Sequence, residues 1–375
     1  MTKKIYFENL DGLRFLCFLS VFFYHSFHTN FGDIKSSGLY RFLKWEIFGN
    51  GNLGVNFFFV LSGFLITYLL IQEKKLNGQI ALKKFWIRRI LRIWPLFFFC
   101  VIFGFYLFPL LKSFFGQVPN ETASIGYYLT FLNNFDMMNK GLPDSSVLGV
   151  LWSIAIEEQF YLIWPVILYL LPIKNYWIAF VSIILSSLIF RAVFESPSFH
   201  EIHTLSCIGD MAMGAFGAWL ISEKPTIKEK IINLKSGYIL LLYLVSLGIF
   251  LFRDEILYSN YYIRIFERSI IAFVFLLIIL EQNYAKNSLI KLSKFKTLTK
   301  LGIISYGLYC LHFIGILITT TLTDLVGLNT KIGHVLILET GLALTITIII
   351  AFISYRFYET PFLKLKKRFS FITKE

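Results

Sequence analysis

Residues 54–67 read G-V-N-F-F-F-V-L-S-G-F-L-I-T, and the apolar run continues to about residue 72. A helix needs about 20 mainly apolar residues to cross the hydrocarbon core of a bilayer, and this stretch supplies them. A membrane β-strand would instead alternate over roughly ten residues, which this stretch does not. Outward from it, nine similar runs complete a set at approximately 12–30, 53–72, 93–111, 147–171, 176–192, 204–222, 238–252, 263–280, 301–323 and 335–355. The pattern predicts an all-α, polytopic membrane bundle of about ten helices.

Composition agrees. Of 375 residues, 56% are hydrophobic and 16% charged, against about 45–50% and 25% in soluble domains. Disordered, collagen-like and disulfide-scaffold classes are excluded, and no segment is polar enough for a sizeable soluble domain. Cys17, Cys100, Cys207 and Cys310 sit in or beside apolar runs, with no C-x-x-C pair and no histidine cluster. They read as small hydrophobes, and no metal site is expected. Lys3 and Lys4 precede the first run as in a signal peptide, but Asp11 and Arg14 interrupt it and no small-x-small cleavage site follows, so the first span reads as uncleaved.

The net charge of +13 raises nucleic acid or anionic lipid as partners. Sorting the 36 Lys and Arg onto alternate sides of ten spans puts 26 on one side. By the positive-inside rule both termini are cytoplasmic, and nucleic-acid binding becomes unnecessary. No internal repeat is visible.

Ionisable side chains inside spans are costly and mark function by default. Arg14 and His25, eleven residues apart, share one face of the first helix, about 16 Å apart along its axis. The structural reading is an interfacial arginine and a polar bundle contact; the chemical one makes His25 a general base toward an alcohol, with His28, three residues on and nearer the outer surface, as its competitor. In 54–67, Ser62 and Gly63 suit close helix approach, while the Asn56 amide can polarise a bound group. K-K-F-W-I-R-R-I-L-R-I-W-P (83–95) places Arg88 with Arg92 at i,i+4 and Arg89 with Arg92 at i,i+3, either a lipid-facing anchor or a receptor for phosphates. L-W-S-I-A-I-E-E-Q-F-Y-L-I-W-P (151–165) carries Glu157 and Glu158 about 100° apart; pairing with arginines such as Arg14 would neutralise them. Gly209, Gly214 and Gly217 read as packing glycines. His312 and Glu359 are open between structural contact and catalysis.

In this order, together with S-Y-G-L-Y-C-L-H (305–312) and Y-E-T-P-F (358–362), these segments resemble the acyltransferase type 3 family over nearly the whole chain. The resemblance implies a cytoplasmic acyl-CoA donor, with acetyl-CoA expected, and no permanently bound cofactor. It implies transfer to a hydroxyl of an extracytoplasmic or lipid-linked glycan, in a multi-pass protein of a bacterial inner membrane. It carries the essential first-helix pair onto Arg14 and His25 and donor contact onto Arg88, Arg89 and Arg92. Glu158 joins the catalytic candidates; Asn56, Glu157, Tyr306 and His312 are supporting ones, with Asn56 or Tyr306 as oxyanion donor. Attack by the acceptor directly on the thioester and a covalent acyl-His25 route are both open. Some relatives append a soluble hydrolase-like domain; residues 1–375 read as one membrane acyltransferase domain with none, so an acyl-handling partner would be a separate polypeptide. The rival classes are a transporter or flippase, which moves substrate without consuming acyl-CoA, and a scaffold, which needs neither His25 nor the arginines.

Overall fold

The computed structural model describes residues 7–258 and 260–369. Lys3, Lys4 and Lys374, counted in the charge sorting, lie outside these residues. Among the described residues every regular element is helical. Ten long helices form the bundle: α1 (Glu8–His25), α2 (Leu53–Asn77), α3 (Leu82–Phe114), α4 (Leu151–Leu170), α5 (Tyr176–Val193), α6 (Thr204–Glu223), α7 (Ser236–Arg253), α8 (Tyr261–Tyr284), α9 (Ser305–Leu325) and α10 (His334–Lys367). Each falls on one of the ten apolar runs.

Eight candidate spans among the described residues are long and apolar enough to cross a membrane. The helices that fall short are α1, with Glu8, Asp11 and Arg14, and α8, with Arg264, Glu267, Arg268 and Glu281. Their charges are largely paired within the bundle. Glu267 accepts from Arg191 at 3.0 Å and from Arg253 at 2.6 Å, and Arg268 meets Asp210 at 2.5 Å. Removing one member of such a pair strands the other, at about 3–5 kcal/mol. Arg191, Arg253 and Arg268 stood on the charge-poor side of the sorting; because they are buried in ion pairs, the solvated charges are more lopsided than the count implied.

Helix ends depart from the apolar runs where hydropathy and hydrogen bonding differ. α3 starts at Leu82 rather than near 93, because Lys83 to Arg92 are good helix formers that hydropathy discounts. α10 continues past 355 through a wider turn, Ser354–Glu359, to Lys367. α1 stops at His25, five residues short of its run.

The bundle closes on small residues. α2 crosses α6 so tightly that a Cβ on Gly63 would lie 1.9 Å from the Met211 carbonyl oxygen, and one on Gly214 would lie 1.9 Å from that of Val60. Both contacts are with backbone, which has no rotamer to move, so only glycine fits. Gly63→Val should therefore cost at least the roughly 1–3 kcal/mol of ordinary overpacking. The expected result is a lowered melting temperature in detergent and reduced yield; a melt equal to the parent's would refute this packing. α1 is seated as closely: a Cβ on Gly54 would lie 2.4 Å from the Cys17 carbonyl oxygen, and one on Gly302 1.7 Å from that of Asp11.

Candidate active site

Placement of His25 begins with the end of α1. After His25 the chain turns extended at Ser26, whose hydroxyl donates to the Phe22 carbonyl at 2.7 Å, and Phe27 takes φ 63°, a left-handed conformation unusual for a bulky residue. The turn is fastened from the 38–47 segment. Tyr40 donates to the Phe27 carbonyl at 2.8 Å, and Lys44 Nζ donates to the carbonyls of Tyr24 at 2.9 Å and Ser26 at 2.7 Å. A cation at a helix C-terminus complements the helix dipole. Burial pushes the Lys44 ammonium down to about 8. Lys44 was not legible as a cap from spacing, because its partner Tyr24 stands 20 positions away in the chain.

His25 is half-buried and faces α9. Its Nδ1 lies 3.0 Å from Nε2 of His312, and Nδ1 of His312 lies 2.6 Å from the Tyr309 carbonyl oxygen. The carbonyl only accepts, so Nδ1 of His312 carries the proton. In the neutral ring, Nε2 of His312 is then a lone pair. His25 Nδ1 must donate to it, which leaves His25 Nε2 unprotonated. The fully buried His312 thus fixes the basic tautomer of His25. The two rings stack with centroids 5.1 Å apart, and Phe313 packs on both, at 4.7 Å from His25 and 4.6 Å from His312.

From this pair a polar seam runs along α4. Tyr309, one turn before His312, shares a hydrogen bond of 2.7 Å with Ser153. One turn further along α4, Glu157 accepts from Ser62 at 2.7 Å and from Tyr161 at 3.0 Å. The Arg89 guanidinium lies 5.3 Å over the Tyr161 ring. Ser153 and Tyr309 were not among the expected site residues, although Tyr309 stands at i−3 from His312, where helix side chains meet.

At the far end, Arg14 pairs with Asp11 on its own helix, so its neutralising partner is not the α4 acid that the sequence suggested. Arg89 and Arg92 lie near enough to repel it electrostatically. Arg89 Nε and Glu158 Oε1 are buried with no hydrogen-bond partner among the described residues. Glu158 uses its other oxygen to accept from Trp94 at 2.8 Å. Such orphans suit a polar ligand. Arg88 turns elsewhere: it donates to Glu73 at 3.0 Å and to the Phe369 carbonyl at 2.9 Å, while Glu73 holds the Ala81 amide at 2.9 Å. Arg88 thereby ties the α2–α3 turn to the C-terminal segment.

The two oxyanion candidates are also engaged. Tyr306 donates to the Ile93 carbonyl at 2.7 Å, and the Asn56 amide donates to Asp210 at 3.2 Å, beside Arg268. Neither hydrogen bond reaches His25. Among the described residues no group of His, Cys, Asp and Glu is arranged to hold a metal.

The arrangement is therefore a pair of imidazoles at one end of a bundle, arginines at the other, and polar side chains between. The acyltransferase domain family model matches residues 7–356. Peptidoglycan O-acetyltransferase OatA of Listeria monocytogenes is 29% identical over 96% of this chain and 56% of its own length. O-acetyltransferase OatA of Staphylococcus aureus is 28% identical over 100% of this chain and 60% of its own length. The chain thus spans less than two thirds of these relatives. No solved structure matches it. With the family model covering nearly all of the ten-helix bundle, the chain is an integral membrane protein of the acyltransferase type 3 family.

Proposed function

We propose that the chain is a membrane O-acyltransferase that moves an acetyl group from cytoplasmic acetyl-CoA to a hydroxyl of an extracytoplasmic or lipid-linked glycan, in the inner membrane of a bacterium. The observation that carries this reading is the Tyr309–His312–His25 chain, which leaves His25 Nε2 as a base at the end of an apolar bundle. The charge asymmetry of the loops supports N-in and C-in topology, with the arginine end cytoplasmic. The names of the relatives support acetyl as the group and a wall glycan as the acceptor.

CoA phosphates dock on Arg89 and Arg92, where planar guanidinium forks match phosphate oxygens, and Arg14 adds positive field. The pantetheine arm follows the polar seam on α4, where Tyr309, Ser153 and Glu157 offer partners to its amides. His25 Nε2 takes the proton of the acceptor hydroxyl as its oxygen attacks the thioester carbon. The C–S bond breaks, and the proton passes to the departing sulfur. When His25 is protonated its hydrogen bond to His312 becomes charge-assisted and strengthens, which favours the transition state.

Membranes containing the chain, given acetyl-CoA labelled in the acetyl group, should release one CoA thiol per acetyl ester formed on glycan. Glycan movement without CoA release would instead identify a transporter. His312→Phe keeps a flat buried ring and removes the acceptor for His25 Nδ1. It should lower kcat about 10-fold, the value of one such hydrogen bond, without raising the donor KM. An unchanged kcat would remove His312 from the relay.

A further inference from the structure

We propose that a cavity on the His25 side of the bundle is the acceptor subsite and is built for an uncharged sugar ring. The proposal deepens the acyltransferase reading and rests on it. The cavity, about 290 Å³, lies between the segment after α1, the loop before α4, and the ends of α9 and α10. That is near the small end of ligand pockets, about 300–1,000 Å³, and suits one sugar ring rather than a whole buried chain.

Position comes first. Phe313 lines the cavity and packs its ring 4.7 Å from that of His25, so the cavity opens one side chain away from the imidazole. The lining chemistry comes second. Phe313 and Phe108 offer apolar faces to ring C–H groups, while Thr320, Asp324 and Glu339 offer hydroxyl and carboxylate oxygens. Carboxylates accept hydrogen bonds from sugar hydroxyls or an N-acyl N–H, and beside them and His28 the lining holds, among the described residues, no lysine or arginine to pair with a uronate or a phosphate. Third, Ser145 is 0% exposed, lines the cavity, and its hydroxyl has no hydrogen-bond partner among the described residues. Its backbone is held in place, the amide donating to Glu121 at 3.1 Å. A buried hydroxyl on a fixed backbone is a hydrogen-bonding group waiting for a ligand. Glu339 is likewise oriented by Thr323, which donates to it at 2.5 Å.

The subsite thus presents a neutral ring with one hydroxyl toward His25 Nε2. That hydroxyl loses its proton to His25, forms the ester bond to the acyl carbon, and frees the CoA thiol.

The test uses intact cells expressing the full chain, with mass spectrometry of surface-glycan O-acetyl content. Leu317→Trp, which fills the cavity, should reduce O-acetylation at least 10-fold. Ser145→Ala and Glu339→Gln should each reduce it about 3–10-fold, one hydrogen bond's worth, with binding of labelled acetyl-CoA to isolated membranes unchanged. The acetylated ring should be uncharged in fragment spectra. Wild-type O-acetylation in Leu317→Trp cells, with none in His25→Ala cells, would overturn the cavity assignment and leave the enzyme reading intact. Wild-type O-acetylation in His25→Ala cells would overturn the enzyme reading itself. Should Leu317→Trp fail to accumulate, the two small substitutions decide, and unchanged acetylation in both overturns the proposal. Acetyl on a protein side chain, or on a uronate ring, would equally overturn it.

Discussion

His25→Ala should reduce acyl transfer by about 10²–10⁴-fold, the usual contribution of a positioned general base, at unchanged expression. The size follows from geometry. His312 and the Tyr309 carbonyl determine which nitrogen of His25 is basic, and Lys44 and Tyr40 hold the turn that presents it. Removing the imidazole leaves this scaffold without the one group it positions. The alanine leaves the buried Nε2 of His312 without its donor, so stability should fall by about 1–3 kcal/mol, far too little to account for the loss of transfer in a protein that still folds. Transfer at the parent rate, measured as labelled acetyl on glycan per mole of protein, would show that the base is elsewhere.

The second large effect is expected at the arginines. Arg89→Gln and Arg92→Gln should each raise the KM for acetyl-CoA about 10–100-fold, since a hydrogen bond to a charged group is worth about 1.5–3 kcal/mol. The change should fall on KM more than on kcat, because Arg89 sits over Tyr161, about two helical turns along α4 from Ser153 and the histidine pair. Arg88→Gln is the contrasting case. Its guanidinium is spent on Glu73 and on the Phe369 carbonyl, so its loss should lower the melting temperature and leave the donor KM within about 2-fold. Equal KM values in all three variants would make the stripe an anchor and not a receptor.

These assignments differ in how far the sequence alone revealed them. Ten helices were legible because burying a backbone in lipid demands helical hydrogen bonds, and the apolar runs that result are long and continuous. The shared face of Arg14 and His25 was legible because it depends only on helical spacing. Partners were not. Asp11 was visible but unassigned, the acids of α4 drew attention as the neutralisers of Arg14, and His312 stood undecided because its neighbour lies 287 residues away. The three arginines at 88–92 looked equivalent in sequence; only their surroundings separate Arg88, tied to the C-terminal segment, from Arg89, whose Nε has no hydrogen-bond partner among the described residues. Asn56 looked free to act on a ligand, yet it serves the buried Asp210–Arg268 pair. Long-range pairing of polar groups is decided by helix packing, and spacing along one chain does not encode it.

In the proposed reaction, donor and acceptor reach His25 from opposite faces of the membrane. Sealed vesicles of both orientations, prepared from cells expressing the chain and given membrane-impermeant labelled acetyl-CoA outside, test this directly. Inverted vesicles, with the arginine face outward, should incorporate acetyl into glycan in a manner abolished by His25→Ala. Right-side-out vesicles should incorporate none until permeabilised. Equal incorporation by intact vesicles of both orientations would show that the two substrates do not enter from opposite faces.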